Sequence, residues 1–301
     1  MFSPNISLVR RPDSETEICQ IADRVLRRAG AVGRLPTPID ELIAAVGVEN
    51  VLDPEAVKER FIARLGEHTR TWLVTLWQKL RGIADLRDRV IYVPNETTPP
   101  RVLFAKGHEL GHQVIPWQRV NTAYRDDDFS LSPEAQDLFD VEANYFASEI
   151  IFQGQRFTNR LRDYKPSFDT VFVLAEEHGA SNHATLRRYV EEHDEALAAI
   201  PYWPSVYAAD EKGFPVLRVG KVVGSSRFVQ KYAGIRIPPE IRSGHPWVGA
   251  RELSRVCEGE VRLDCGANPI GFQWQSWWNT YSLLVLLRRK PALSIVGQLI
   301  R

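Results

Sequence analysis

Phe104-Ala105-Lys106-Gly107-His108-Glu109-Leu110-Gly111-His112-Gln113 decides the reading of this chain. Inside it lies His-Glu-x-x-His. On a helix, side chains four apart share one face with about 5–6 Å between them, so His108 and His112 can both turn a ring nitrogen to one metal ion. Glu109, the next residue round, reaches a water on that metal and acts as its general base, the pattern of helical zinc sites that hydrolyse peptides. The stretch therefore predicts a helix, a Zn2+ ion held on it and an acid–base carboxylate beside it.

Such a site needs a third protein ligand and an open fourth position for water. Downstream, in Phe139-Asp140-Val141-Glu142-Ala143-Asn144-Tyr145-Phe146-Ala147-Ser148-Glu149-Ile150-Ile151, residues Ala143, Phe146, Ala147, Ile150 and Ile151 recur at helical spacing and make one apolar stripe. Glu142 stands at the edge of that stripe, where a carboxylate facing the packed side needs a metal or a partner. It is the expected third ligand. The alternative is an ordinary solvated helix glutamate, as most glutamates are.

His108-Glu109-Leu110-Gly111-His112 followed by Glu142-Ala143-Asn144-x-Phe146-Ala147 resembles the ImmA/IrrE family of zinc metallopeptidases. Ile91-Tyr92-Val93-x-Asn95 upstream and Gly179-Ala180-Ser181-x-x-Ala184-Thr185-x-x-Arg188-Tyr189 downstream extend the resemblance over roughly residues 15 to 195. It implies a zinc endopeptidase that cuts a helix-turn-helix repressor and so switches on a mobile-element, DNA-damage or anti-phage programme. Members with an added C-terminal domain, including the CapP-type peptidases of defence operons, resemble this chain most. In these terms His108, His112 and Glu142 hold Zn2+, Glu109 is catalytic, and single-stranded DNA or a small molecule is the expected activator. Ile151-Phe152-Gln153 stands where the family usually has Leu-Met-Pro, which leaves the exit from that helix open.

A chain of 301 residues exceeds one typical domain. We expect an α+β protein: a mainly helical, zincin-like peptidase domain of the gluzincin type with a small antiparallel hairpin over residues 1–199, and a β-rich, GAF-like regulatory domain over 200–301, with Ile200-Pro201-Tyr202-Trp203-Pro204 between them. Lys+Arg and Asp+Glu balance at 38 each, so no overall charge argues for a nucleic-acid partner. The three cysteines, Cys19, Cys257 and Cys265, are too few and scattered for a secreted disulfide framework. The start lacks the pattern of a signal peptide, and the longest apolar run, Leu283 to Leu287, is far short of a membrane span. The expected location is the cytoplasm, with no membrane partner.

Along the chain, Ser14 and Glu17 form a capping box for a helix that Gly30 ends, Thr37-Pro38 opens a second closed by Gly47, and Asp53-Pro54 opens a third reaching towards Leu80. Cys19 lies among these helices as a small core residue. Ile83 to Leu86 and Val90 to Val93 read as an antiparallel hairpin whose edge can take up a substrate as an added strand. Pro94 to Pro100 reads as a loop, as does the acidic stretch Asn121 to Ser130, before Ser132-Pro133-Glu134 opens the Glu142 helix. Residues 167–198 have a helix-turn-helix outline around Gly179. Its second helix runs into Glu191, Glu192, Asp194 and Glu195, which would repel phosphates, so the pair reads as packing elements with Arg187 and Arg188 as the candidate nucleic-acid contacts.

In the last third, Pro215 to Gly220, Arg227 to Tyr232 and Ser282 to Leu286 read as strands. Trp274, Trp277 and Trp278 read as core, with base or ligand stacking as the alternative. Cys265, in Cys-Gly-x-x-Pro, is a candidate fourth ligand that would displace the catalytic water and hold the enzyme off, set against a structural cysteine. Two other functions fit the same sequence: a metal-containing anti-repressor that binds without cutting, and a DNA-binding regulator built on 167–198.

Overall fold

The computed structural model describes residues 11–51, 83–85, 89–93, 98–118, 133–249, 255–266, 268–279 and 281–289. The helix expected from Asp53 and the acidic loop Asn121 to Ser130 lie outside them. The chain is mixed α+β and divides into two compact units, one built from 11–160 with 174–181, the other from 161–173 with 182–301.

In the first unit, α1 (Glu15–Arg28) buries Ile18, Ile21, Ala22, Val25 and Leu26, the stripe its spacing predicts, and Gly30 ends it at φ +59. No capping box forms. The Ser14 side chain makes no cap bond and donates instead to Glu142 Oε1 at 2.5 Å. α2 (Ile39–Ala45) follows Pro38. A three-stranded sheet is ordered β1 (Glu49–Asn50), β3 (Val90–Tyr92), β2 (Ile83–Asp85), with β2 antiparallel to β3 as expected and β1 parallel to β3.

α3 (Pro99–Val114) carries the His-Glu-x-x-His stretch. Pro99 and Pro100 are its opening positions rather than the end of a loop, where a missing N–H costs nothing and the fixed φ suits a helix. α4 (Pro133–Phe152) crosses it closely because both faces are small. A Cβ added at Gly107 would lie 3.2 Å from Ala147 Cβ, and one at Gly111 would lie 3.1 Å from Ala143 Cα, so the two helices run in opposite directions. Gln113 Nε2 donates to Val90 O at 3.2 Å and Lys106 Nζ to Asp40 Oδ1 at 2.7 Å, tying α3 to the sheet and to α2.

The exit from α4 is built by the residue that departs from the family pattern. Gln153 is buried with φ +54, its Oε1 accepts from Gly33 N at 2.7 Å and its Nε2 donates to Arg34 O at 3.0 Å. The amide thus ties the loop after α1 to the end of α4. α5 (Gln155–Leu161) follows.

α6 (Phe168–His178) and α7 (Asn182–Glu192) flank Gly179, whose φ is +63. The second unit is organised on an antiparallel sheet in the order β7 (Glu240–Ile241), β5 (Pro215–Val219), β4 (Leu197–Ala209), β10 (Leu283–Arg289), β9 (Asn268–Trp278), β8 (Val256–Cys265), with β6 (Val223–Gly224) also pairing β4. Ile200 to Pro204, expected between domains, lies within β4. Arg227 to Tyr232, expected as a strand, is α8 (Ser226–Tyr232): Ser225 Oγ accepts from Phe228 N at 3.2 Å as its N-cap. The core holds Tyr202, Phe228, Trp247, Phe272, Trp274 and Trp278, while Trp277 sits 5.0 Å from the Phe172 ring.

Candidate metal centre

The close crossing of α3 and α4 places polar residues of each helix along one side of the seam. His108 and His112 point their Nε2 atoms at each other, 3.1 Å apart, and Asp140 Oδ1 lies 3.9 Å from the first and 3.7 Å from the second. Nitrogens 2.0–2.1 Å from a tetrahedral ion stand about 3.3 Å apart, so this separation is that of two ligands aimed at one cation. The far nitrogens are both occupied: His108 Nδ1 meets Asn144 Oδ1 at 3.0 Å and His112 Nδ1 meets Gln118 Oε1 at 2.7 Å. An amide oxygen only accepts, so each Nδ1 carries the proton and both Nε2 atoms present bare lone pairs. Two lone pairs this close repel unless a cation sits between them. The residues fit a metal, and among the described residues these three form the grouping able to hold one.

Glu142 is not in that grouping. It is buried, and its carboxylate is fully engaged: Oε1 accepts from Ser14 Oγ at 2.5 Å, and Oε2 accepts from Trp117 Nε1 and Gln118 Nε2, both at 2.8 Å. The sequence reading expected Glu142 as the third ligand; the grouping holds Asp140, two residues earlier, in that place. Successive helical residues turn by about 100°, so Asp140 and Glu142 lie on different sides of α4, and the side that meets α3 is set by Ala143 and Ala147. Asp140 with Asn144, four apart, was the legible signal for the face of α4 that the histidines meet.

Glu109 is buried on α3 beside the histidines. Burial, with the negative Asp140 adding to it, pushes its carboxyl up to about 8. Burial also lowers both histidines, keeping the imidazoles neutral as metal ligands require. Of the residues near the motifs in sequence, Tyr145 donates from its hydroxyl to Glu15 Oε1 at 3.0 Å, next to Cys19 Sγ at 3.6 Å. His178 gives its Nδ1 to Ile151 O at 3.0 Å between Phe152 and Phe157, and His183 packs its ring 5.8 Å from Trp203. Cys265 ends β8 opposite Asn268, with a backbone bridge to Ile235, and is not part of the histidine grouping.

Residues 62–189 match the family model of Peptidase_M78, the IrrE N-terminal-like domain. This segment is an M78 peptidase-family domain. The M78 segment contains α3 and α4 entire, and with them His108, Glu109, His112, Asp140 and Glu142. Metal dependence is general among M78 peptidases, and the His-His-Asp grouping agrees with it. Among solved structures, a Mycobacterium tuberculosis transcriptional regulator superposes with a TM-score of 0.54 at 12% identity, over 91% of this chain and 76% of that one, a likeness of fold. No curated protein matches. No described helix is long and apolar enough to cross a membrane.

Proposed function

We propose that the chain is a cytoplasmic zinc endopeptidase that cuts a specific protein, a helix-turn-helix repressor, and so acts as a regulatory switch. The observation that carries this reading is the facing pair of Nε2 lone pairs, with Asp140 beside them and the buried Glu109 one residue along the helix. His108, His112 and Asp140 would hold Zn2+, a nitrogen and oxygen donor set of the catalytic kind. When bound, the ion polarises the scissile carbonyl and makes water a stronger acid. Glu109 takes the proton of the attacking water and passes it to the leaving amine.

A protein substrate is supported by the small sheet. β2 pairs with β3 in the described order, and an extended segment added at the edge of such a sheet would be held by main-chain hydrogen bonds. The regulator named for the structural neighbour suits the same role, and the antiparallel sheet of the second unit would receive the activating signal.

Direct DNA reading by α6 and α7 has less support. Arg187 is paired with Glu191 at 2.7 Å, and the Arg188 side chain is buried, 3.3 Å from Glu192. An anti-repressor that only binds its partner is separated from a peptidase by Glu109→Gln. This variant keeps the ligands, so zinc should stay bound while the cutting rate of the helix-turn-helix partner, read by intact mass, falls by about 10²–10⁴-fold. Undiminished cutting by the variant overturns Glu109 as the base, and no cutting by the zinc-loaded wild type overturns the peptidase.

A further inference from the structure

We infer that Glu142, acting through Gln118, decides which nitrogen of His112 carries the proton and so aims the His112 Nε2 lone pair at the metal. The inference rests on the metal reading above, but one of its readouts does not need the metal.

The argument is one of donors and acceptors. Glu142 Oε2 already takes the Trp117 indole N–H, and the group Gln118 turns towards it at 2.8 Å must therefore be its amide nitrogen. The same nitrogen reaches Phe139 O at 3.2 Å. Both of its hydrogens are then committed to acceptors, and the Gln118 carbonyl oxygen is all that remains to face His112 Nδ1 at 2.7 Å. That oxygen cannot donate. His112 must hold its proton on Nδ1 and leave Nε2 bare. Gln118 is fully buried and Glu142 nearly so, so water does not offer either an easy alternative partner. His108 has only the Asn144 amide behind it, whereas His112 has an amide whose orientation a carboxylate fixes. Glu142 is thus a positioning residue, two hydrogen bonds removed from His112, and the Ser14 hydroxyl on its other oxygen makes the start of α1 part of the same support.

The test uses the full chain with 15N-labelled histidine, without metal, at pH 8. In the wild type, long-range 15N–1H correlations should show His112 as the Nδ1–H form. In Glu142→Leu the Gln118 amide loses the acceptor that orients it, so either of its ends can face His112 Nδ1. The Nε2–H form should then appear beside the Nδ1–H form, and zinc affinity measured by competition with a chelator should fall about 10–100-fold, the usual cost of losing a partner of a ligating histidine. The double variant Gln118→Glu with Glu142→Leu returns an acceptor to His112 and keeps one carboxylate in the pocket. It should recover the Nδ1–H form and most of the affinity.

A purely structural role for Glu142 predicts no such recovery. An unchanged tautomer in Glu142→Leu, or a double variant that loses the product of the two single losses, overturns the inference. Circular dichroism establishes that each variant folds. If Glu142→Leu does not, Gln118→Met, of similar volume, must show the affinity loss, and unaltered affinity there overturns it. Should the wild type bind no zinc, the metal reading fails while the tautomer measurement still decides the relay.

Discussion

Asp140 and Glu142 show how two acids of like chemistry, two positions apart, come to different work. Asp140 is exposed and carries no hydrogen-bonding cage that holds it from the histidines, while Glu142 is buried under three donors. Replacing Asp140 by Ala should weaken zinc binding by more than the 10–100-fold expected for a supporting residue, and should leave the urea unfolding midpoint of the metal-free protein nearly unchanged, because an exposed side chain contributes little to packing. Chelator competition and urea titration read the two effects. Retained affinity would remove Asp140 from the ligand set. The motif made His108, Glu109 and His112 legible, since their spacing alone puts them together. The place of Asp140 beside them was not legible from an apolar stripe, because a stripe has two edges and the sequence does not say which edge meets the other helix.

The seam between α3 and α4 settles that choice. Gly107 and Gly111 against Ala147 and Ala143 bring the two backbones together, and an added Cβ at Gly111 meets both Ala143 Cα at 3.1 Å and Phe146 Cδ1 at 3.2 Å. Backbone yields less than a side-chain tip. Gly111→Val should therefore destabilise by about 1–3 kcal/mol through overpacking, and should weaken zinc binding as well by moving Asp140 away from the histidines. A variant as stable as the wild type with full metal affinity would show that the crossing is not set here. These paired small residues were in the sequence and could have given the facing edges. By contrast, α8 was hidden for a different reason: seven residues with apolar Phe228 and Val229 adjacent satisfy a strand pattern and about two helical turns equally, and Ser225 as N-cap was the discriminator.

A second element-scale expectation concerns the β4–β5 connection. Asp210 accepts from Ser243 Oγ at 2.6 Å, from Ser243 N at 3.1 Å, and from the backbone of Lys212 and Phe214. Chiefly through the Ser243 hydroxyl, these bonds hold its carboxyl at about 2. The sign follows from a folded value below the ordinary one of about 3.9: the contribution is fully present above about pH 4 and is lost as pH falls towards 2. Acid unfolding followed by tryptophan fluorescence should be shallower between those values in Asp210→Asn than in the wild type; identical profiles would mean that the turn does not stabilise the sheet.

On the scale of the whole chain, every proposed ligand comes from one of the two units. His108 and His112 lie on α3, Asp140 on α4, and the residues behind them, Asn144, Gln118, Glu142 and Ser14, all fall within 11–160. A ligand that binds the folded state stabilises it by RT ln(1 + [L]/Kd), about 2.7 kcal/mol at a hundredfold excess over Kd, and the gain is felt first where opening would break the site. Hydrogen exchange followed by mass spectrometry, with and without zinc, should therefore slow most in α1, α3 and the second half of α4. The start of α1 is the informative segment, because Ser14 reaches the histidine only by way of Glu142 and Gln118. Protection there comparable to that of α3 would mean that this hydrogen-bonded line transmits the metal's constraint between elements far apart in sequence. Protection confined to α3 and α4 would mean that the metal fastens the helix pair alone and that α1 is held by its buried Ile18, Ile21 and Leu26.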